Sequence, residues 1–280
     1  MLTLRTQNKK FSSSHPLVMG ILNVTSDSFS DGGRYNQIDS ALRHCEEMLC
    51  DGAEIIDIGG CSTRPDNGIA TESEELQRVV PIIKAIRKRF PDAPLSIDTF
   101  RKTVAETCIC EGADLINDIS GGLFDEKMLP YIGENHIPYI MMHCIGTPET
   151  MHQYALDGDI HQTVHDFFAE QCGRLYSFGK QQIILDPGIG FGKSLKSNYA
   201  LLRDLNRYRF NHLPILIGIS RKSMIWKVLR TDYKINPEAI ENGTTVLNTI
   251  ALMNGADIIR VHDVKKAVEA VKLVEIQQTT

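Results

Sequence analysis

The sequence predicts a single α/β domain in which eight parallel strands, each followed by a helix, close into a (β/α)8 barrel, the TIM barrel. Two observations lead to this prediction. Eight short apolar runs alternate with helical patterns along the chain, and no linker or low-complexity tract divides it. In addition, three stretches repeat one pattern, in which a helix is stopped by glycine, an apolar run follows and a polar residue ends the run: 51–57, 111–117 and 254–260.

The apolar runs are typical of strands buried on both faces, because they are short and most are rich in Ile, Val, Leu or Met. They are Leu17–Leu22, Glu54–Ile58, Pro94–Ile97, Asp114–Ile116, Ile137–Met141, Gln182–Leu185, Pro214–Ile217 and Asp257–Val261. The clearest helix follows Thr71, which forms a capping-box pattern with Glu74. Pro81 interrupts the apolar stripe of this helix, so we expect a bend there or a later helix start.

An open, doubly wound sheet is the alternative architecture. It would carry a Gly-x-Gly-x-x-Gly pattern after an early strand, whereas the first strand here runs into Asn23-Val-Thr-Ser. We expect the barrel to span residues 16–275, after an N-terminal extension of residues 1–15 and before a C-terminal tail of residues 276–280.

The composition argues against several classes of function. The chain has 280 residues, 42 % of them hydrophobic, with 30 Lys and Arg against 35 Asp and Glu. Its net charge of −5 provides no electrostatic footprint for a nucleic acid or an anionic membrane. No apolar run approaches the roughly 20 residues that a membrane span needs. The seven cysteines lack zinc-ligand spacing and predict reduced thiols in a cytoplasmic protein.

Polar residues follow the C-terminal ends of all eight predicted strands, which is where a barrel places its chemistry. Buried polar groups cost free energy unless they are paired, so a ring of them indicates a bound polar ligand or an internal network. A single Asn or Asp could equally cap a loop, but the recurrence at every strand favours a site. The ring comprises Asn23, 59–65, Asp98, 117–118, 142–143, Asp186, 220–222, Arg260 and His262.

Two kinds of polar group can be distinguished in this ring. The acceptors Asp98, Asn117 and Asp186 suit a planar heterocycle with an amidine-like edge, because carboxylates accept paired N–H donors strongly. The donors suit a phosphate or a carboxylate, with a solvated cationic surface as the alternative. The donors are Thr63, Arg64, Arg221, Lys222, Arg260 and His262.

Two long loops, 23–36 and 59–71, are marked by glycine and small polar residues. Loops of this length in a compact barrel are usually functional lids or disordered segments. Phe29 favours function for the first loop, since a merely solvated loop gains nothing from it. In the second loop Cys61 has no basic neighbour in sequence and is expected to be a bystander.

A third loop, 186–193, carries three glycines but lacks the Walker A spacing. Lys193-Ser194 therefore matches the Lys-Ser pair of that motif only by chance. Its glycines predict a close approach of the backbone to a flat ligand. Phe191 is expected to form part of the wall.

Five motifs of this chain resemble those of the dihydropteroate synthase family, and the resemblance spans about residues 16–275. It implies a barrel transferase of folate biosynthesis that joins 4-aminobenzoate to 6-hydroxymethyl-7,8-dihydropterin diphosphate, with release of pyrophosphate and 7,8-dihydropteroate. It also implies Mg2+, a homodimer and inhibition by sulfonamides. The motifs are Met19-Gly-Ile-Leu-Asn-Val-Thr-Ser-Asp-Ser-Phe-Ser-Asp-Gly-Gly33, Ser62-Thr-Arg-Pro65, Asp186-Pro-Gly-Ile-Gly-Phe-Gly-Lys193, Ser220-Arg-Lys-Ser223 and Arg260-Val-His-Asp263.

The resemblance implies roles for individual residues. Asn23 would help to hold Mg2+. The pyrophosphate would be bound by Asn23, Arg260 and His262. The pterin would be bound by Asp98, Asn117, Met142, Asp186, Phe191, Gly218 and Lys222. The 4-aminobenzoate would be bound by Phe29, Thr63, Arg64, Pro65, Arg221 and Ser223. The catalytic groups among these would be Asp98, Lys222, Arg260 and His262.

Two other functions would use a similar barrel. A pterin-binding methyltransferase would keep the three acceptors but has no need for the two loop motifs, which are intact here. A non-catalytic pterin-binding or scaffold paralogue predicts erosion of Asn23, Arg260 and His262, all of which are present.

Overall fold

The structure is a computed structural model that describes residues 2–5, 10–24, 34–61, 69–147, 150, 155–156, 158–179, 181–230 and 236–279. Within these ranges, eight strands form one parallel sheet, and β1 (Leu2–Arg5) pairs antiparallel with β2 (Lys10–Ser13). The parallel strands are β3 (Leu17–Asn23), β4 (Ile55–Gly59), β5 (Leu95–Asp98), β6 (Leu115–Asp118), β7 (Tyr139–Met142), β8 (Ile183–Asp186), β9 (Leu216–Ile217) and β10 (Ile258–Val261).

Helices follow the parallel strands and form the outer layer. None of the helices in the described ranges is long and apolar enough to cross a membrane. They are α1 (Arg34–Cys50), α2 (Glu72–Arg89), α3 (Lys102–Cys110), α4 (Met128–Asn135), α5 (Ile160–Tyr176), α6 (Leu195–Arg203), α7 (Ser223–Leu229), α8 (Pro237–Met253) and α9 (Val264–Thr279), with 3-10 turns at Leu205–Tyr208 and Phe210–His212.

The parallel sheet closes into a barrel. Its order is β8-β7-β6-β5-β4-β3-β10-β9, and a parallel bridge between Leu185 and Ile215 joins β8 to the segment that leads into β9. This closure confirms the predicted (β/α)8 fold and excludes the open sheet. The observed strand bounds differ from the predicted ones by at most two residues.

The helix ends and the helix start predicted from the sequence also have the expected conformation. Gly52, Gly112 and Gly255, one in each repeat, adopt φ of 101°, 113° and 95°, which favours glycine after a helix end. Thr71 and Glu74 form both bonds of the capping box. The helix they open begins at Glu72 and continues through Pro81 to Arg89, so Pro81 does not delay its start.

The interior of the barrel is filled by inward-facing residues near the N-terminal ends of the strands. Leu17 and Met19 of β3 point inward, while Val18 between them packs outward against the helices. The β1–β2 hairpin covers this end, and Leu4 joins the inner core with 4 % of its surface exposed. The opposite end, where the strands terminate, is therefore the one that remains for a site.

Candidate active site

Strand alternation brings polar side chains to one level inside the barrel. On five strands a residue of the inner apolar core is followed two positions later by Asp57 or by a residue of the predicted site. Because side chains two apart on a strand point to the same face, these residues must also face inward. The pairs are Ile55 and Asp57 on β4, Leu115 and Asn117 on β6, Ile140 and Met142 on β7, Ile184 and Asp186 on β8, and Ile258 and Arg260 on β10.

A charged network occupies the centre of this level. The Arg260 guanidinium donates through Nε to Asp57 Oδ2 at 2.6 Å and through a terminal nitrogen to Asp98 Oδ2 at 2.7 Å. Asn117 Nδ2 donates to the same Asp57 oxygen at 2.9 Å. Asp57 is fully buried, and its Oδ1 has no hydrogen-bond partner in the described part of the chain. The network therefore fixes Arg260 between two carboxylates from neighbouring strands.

The protonation of Asp98 is poised near neutrality. Burial raises the pKa of Asp98 to about 7; the Arg260 cation opposes the rise, whereas the Asp57 carboxylate adds to it. Because this pKa lies close to pH 7, a small change in the surrounding charge decides whether Asp98 is ionised near neutrality.

Asp186 and Lys222 form a second charged group beside the first. Asp186 is 5 % exposed, and its Oδ1 accepts a hydrogen bond from the Gly188 amide at 2.8 Å. Burial raises the pKa of Asp186, and the nearby Lys222 opposes this. Burial also disfavours the charged form of Lys222 and lowers its pKa to about 8. The Lys222 ammonium donates to the Ile189 carbonyl and lies 4.4 Å from the centroid of the Phe191 ring.

Glycines occupy two positions near the charged groups where a side chain would intrude or clash. A Cβ on Gly218 would lie 3.8 Å from Arg260 Cβ and 3.9 Å from Lys222 Nζ, so any larger side chain would extend between the two charged groups. In the loop after β8, Gly188 adopts φ +69°, and a Cβ there would come within 1.8 Å of the His143 carbonyl oxygen. This loop can therefore be formed only with glycine at that position.

Apolar side chains line the other side of the same region. Met142, 3 % exposed, clusters with Ile119 and Cys144, and Phe191 packs against this cluster together with two further aromatic residues, Phe100 and Phe124. The pterin walls predicted from the sequence thus lie together.

Asn23 and His262 lie on the rim. Asn23 ends β3 and is exposed, and its Oδ1 and the Asp98 Oδ2 each lie 3.6 Å from the position that a Cβ of Gly59 would take. The oxygens of Asn23 and Asp98 therefore converge above Gly59. His262 follows β10, and its Nδ1 lies 2.9 Å from Ser220 Oγ in the loop after β9.

The residues predicted to bind 4-aminobenzoate are only partly described. Ser223 begins α7 directly after Lys222 and is half-buried. Arg221 is exposed with φ +59°, and its guanidinium lies 3.8 Å from a Glu241 carboxylate oxygen on α8. Phe29, Thr63, Arg64 and Pro65 lie outside the described residues, so their assignment stays a prediction.

Sequence reasoning missed two members of the site region. Asp57 was visible as the polar residue that ends the first repeat, and strand alternation from Ile55 would have placed it inward. Lys193 was set aside as part of a false motif, yet its Nζ is buried among loop carbonyls. Burial raises the pKa of the Cys61 thiol; the Glu75 carboxylate adds to the rise and the neighbouring Arg101 opposes it, so the expectation that Cys61 is a bystander stays a prediction.

The C-terminal ends of the strands thus hold a cationic centre, buried acceptors and an apolar cluster, at the end of the barrel where enzymes of this fold place their active sites. A sequence model of the family described as pterin binding enzyme matches residues 19–262, and the chain belongs to that family. Within it, the chain falls among the dihydropteroate synthases, which are transferases of folate biosynthesis.

Known proteins support this placement. The chain is 43 % identical over 276 residues to the dihydropteroate synthase of Escherichia coli (strain K12), covering 98 % of this chain and 96 % of the relative. It is 41 % identical over 262 residues to that of Bacillus subtilis (strain 168), covering 92 % and 87 %. These matches favour the synthase over the methyltransferase alternative.

Solved structures agree. Yersinia pestis dihydropteroate synthase, in a complex with a sulfonamide drug, matches with a TM-score of 0.89 and 42 % identity, covering 99 % of both chains. The Burkholderia cenocepacia enzyme, complexed with 7,8-dihydropteroate, matches with a TM-score of 0.86 and 35 % identity, covering 99 % of this chain and 96 % of the other.

Proposed function

We propose that the rim of this barrel joins 4-aminobenzoate to 6-hydroxymethyl-7,8-dihydropterin diphosphate, forming 7,8-dihydropteroate and releasing pyrophosphate. The observation that carries the assignment is the cationic centre of Arg260 between Asp57 and Asp98, beside the group formed by Asp186, Lys222 and Phe191.

The pterin ring is proposed to lie against Phe191 and Met142, with its N–H edge toward the buried acceptors. Asp186 keeps a carboxylate oxygen beyond the one that accepts from Gly188, and Asn117 keeps its amide oxygen while its Nδ2 is held by Asp57. Carboxylate and amide oxygens suit paired N–H donors of an amidine-like edge. Lys222, held by the Ile189 carbonyl, can donate a further bond to a ring acceptor.

The diphosphate is proposed to bind at Arg260 and His262. Arg260 uses Nε and one terminal nitrogen for Asp57 and Asp98, which leaves further N–H groups of the guanidinium for phosphate oxygens. His262 lies at the end of the same strand and is positioned through Ser220. Together they would neutralise the charge that develops on the leaving pyrophosphate.

We further propose Mg2+ as cofactor, with Asn23 as its protein ligand beside the substrate diphosphate. Mg2+ prefers oxygen ligands, keeps several waters and is commonly held by few protein groups together with substrate phosphates, and the exposed Asn23 Oδ1 fits that pattern. The described residues contain no group of three His, Cys, Asp or Glu side chains arranged as a metal site. When bound, the metal would stabilise negative charge on the departing diphosphate.

In the proposed reaction the bond between the pterin methylene carbon and the diphosphate oxygen breaks, and its electron pair leaves with pyrophosphate. The positive charge left on the dihydropterin is stabilised by the Asp98 carboxylate. The amino group of 4-aminobenzoate then forms the new C–N bond and loses a proton, which the released pyrophosphate can take up. The arylamine is already a nucleophile, so its partners need mainly to position it and exclude water. Ser223, adjacent to Lys222, and Arg221 are proposed for this task, with Phe29, Thr63, Arg64 and Pro65.

We propose that the chain forms a homodimer through the α7–α9 face and acts in the cytoplasm. On α8, Val246, Ile250 and Met253 are 49 %, 38 % and 56 % exposed and share one side of the helix. The neighbouring α9 exposes Leu273 and Ile276 at 73 % and 66 %. Exposed apolar side chains on two neighbouring helices are what an interface between subunits would cover. The seven cysteines are free thiols, which suits a reducing compartment.

The dimer is tested by light scattering on size-exclusion chromatography. Ile250→Lys should shift the wild-type dimer toward the monomer, whereas Leu123→Lys, which alters an exposed residue between β6 and α4, should not. A wild-type monomer, or equal behaviour of both variants, would exclude this interface.

The reaction is tested by measuring pyrophosphate release from the purified protein with dihydropterin diphosphate and Mg2+, with and without 4-aminobenzoate. We expect release that depends on 4-aminobenzoate and equals the dihydropteroate formed. Pterin binding without such release would refute the proposed reaction. Sulfonamides should compete with 4-aminobenzoate in the same assay.

A further inference from the structure

Lys193 is a buried lysine that the proposed reaction does not use. It is 7 % exposed, and its ammonium donates to three backbone carbonyls: Gly188 at 2.7 Å, Phe191 at 3.0 Å and His143 at 3.1 Å. Among the described residues, these carbonyls are the groups to which its ammonium donates. An ammonium has as many N–H donors as there are carbonyls here, so its hydrogen-bonding capacity is fully used.

The three carbonyls belong to two different loops. His143 follows β7, whereas Gly188 and Phe191 lie in the loop after β8. The second loop contains glycines with positive φ at 188, 190 and 192, and glycine gives a backbone the greatest freedom in the unfolded chain. The Lys193 ammonium opposes that freedom, because it holds the carbonyls of Gly188 and Phe191 in this loop against the His143 carbonyl at the end of β7.

The loop held in this way carries groups assigned to the pterin. It begins at Asp186, its Ile189 carbonyl accepts from Lys222, and its Phe191 ring lies beneath the Lys222 ammonium. Lys193 binds the carbonyls of Gly188 and Phe191, which bracket the one that Lys222 binds. Movement of this backbone would therefore displace Phe191 and Lys222 together.

A catalytic role is the competing interpretation. Burial lowers the pKa of Lys193 to about 7, and a lysine of lowered pKa can act as a general base. However, all three contacts of its ammonium are to backbone carbonyls, and the side chain is almost fully enclosed. It is built to hold the loop rather than to reach a substrate.

We propose that Lys193 is a positioning residue of the pterin pocket: it ties the loop after β8 to the end of β7 and thereby holds Phe191 and Lys222 in place for the ring. This inference rests on the proposed function. The loop also pairs with Leu156 and is fastened by Asn198 Oδ1, which accepts from the Gly190 amide at 2.6 Å. The fold of the loop should therefore survive the loss of Lys193, with its position less strictly held.

The test compares Lys193→Met, which keeps a long unbranched side chain but removes every donor, with the control Lys196→Met. Lys196 is an exposed lysine on α6, three residues away. The probe is 6-hydroxymethylpterin without diphosphate, titrated calorimetrically. Loss of the charged hydrogen bonds should weaken its Kd by about 10- to 100-fold in Lys193→Met and leave the control unchanged. The KM for 4-aminobenzoate at saturating pterin substrate should change far less.

Each other outcome overturns the proposal. An unchanged pterin Kd with a reduced kcat would make Lys193 a catalytic group instead. Equal losses for both substrates with a lowered Tm would make it a general structural residue. If Lys193→Met does not fold, Lys193→Gln is compared in the same way. Its neutral amide has two N–H donors and cannot bond all three carbonyls, so pterin binding should still be weaker than in the wild type, and wild-type pterin affinity refutes the proposal. A wild-type protein that binds 6-hydroxymethylpterin but forms no dihydropteroate would instead contradict the proposed function.

Discussion

Replacement of Arg260 by methionine removes the cation at the centre of the site while keeping a stem of similar length. The fully buried Asp57 and the Asp98 carboxylate, 24 % exposed, would then face each other without their shared partner. We expect turnover to fall by at least ~100-fold, the usual size of the loss of one electrostatic catalytic group. Breaking a buried pair from one side should also lower the free energy of unfolding by roughly 3–5 kcal/mol.

The loss of stability should depend on pH in a defined direction. Arg260 holds down the pKa of Asp98, which is about 7 in the wild type, so the variant should have a higher Asp98 pKa. A carboxyl group whose pKa is higher in the folded than in the unfolded state contributes stability at low pH, and that contribution is lost as pH rises through the folded pKa. In the wild type this loss ends near pH 7. In the variant it continues above pH 7, with a slope of at most ~1.4 kcal/mol per pH unit.

Urea unfolding at pH 6.5 and pH 8.5 measures this difference. The difference in stability between wild type and Arg260→Met should be larger at the higher pH. The matched control is Arg209→Met, which removes an arginine paired at 2.9 Å with Asp257 at the opposite end of the barrel. It should lower stability without a comparable loss of turnover. Near-normal turnover of Arg260→Met, or a stability difference that does not grow with pH, would refute the reasoning.

Three further predictions address the rest of the site. Lys222→Ala and Asp98→Asn should each reduce turnover by at least ~100-fold in the pyrophosphate-release assay, and near-normal rates in both would contradict the site assignment. Phe29→Ala should raise the KM for 4-aminobenzoate more than it weakens pterin binding in calorimetry; equal effects would argue against the role of its loop. Burial lowers the pKa of His143 to about 2. Below about pH 6.5 the unfolded state therefore binds a proton at this residue that the folded state does not bind, so the free energy of unfolding decreases as the pH is lowered. His143→Gln should therefore lose less stability than wild type between pH 6.5 and pH 4.5 in urea unfolding, and parallel pH profiles would exclude this origin.

Local pattern was sufficient to predict the architecture. Buried parallel strands need short apolar runs, and helix ends that turn back need a residue with positive φ, so strand positions and the glycines at 52, 112 and 255 could be read directly. The polar residues that end the runs were predictable for the same reason. In a parallel barrel all the C-terminal strand ends meet on one rim, so residues far apart in sequence could be assigned to one site.

Tertiary structure alone decided what those polar residues do to one another. The pairing of Arg260 with Asp57 joins residues 203 positions apart and depends on the register of several strands, which no local pattern specifies. The pKa of Asp98 follows from that pairing and from burial, and neither is a property of its neighbours in sequence. The N-terminal residues, expected only as an extension, include a hairpin whose Leu4 fills the base of the barrel.

Lys193 is the clearest case of a residue whose role the sequence does not predict and the tertiary structure decides. In sequence it is a lysine at the end of a glycine-rich loop, a context in which solvent exposure is the default expectation. Only the fold brings the His143 carbonyl, 50 residues away, to its ammonium. Sequence by itself thus determined the barrel, the family and the residues on its rim, because those depend on periodicity and on backbone conformation. The charges, contacts and fixed distances within the site were decided by the tertiary structure, because they depend on which distant residues burial forces together.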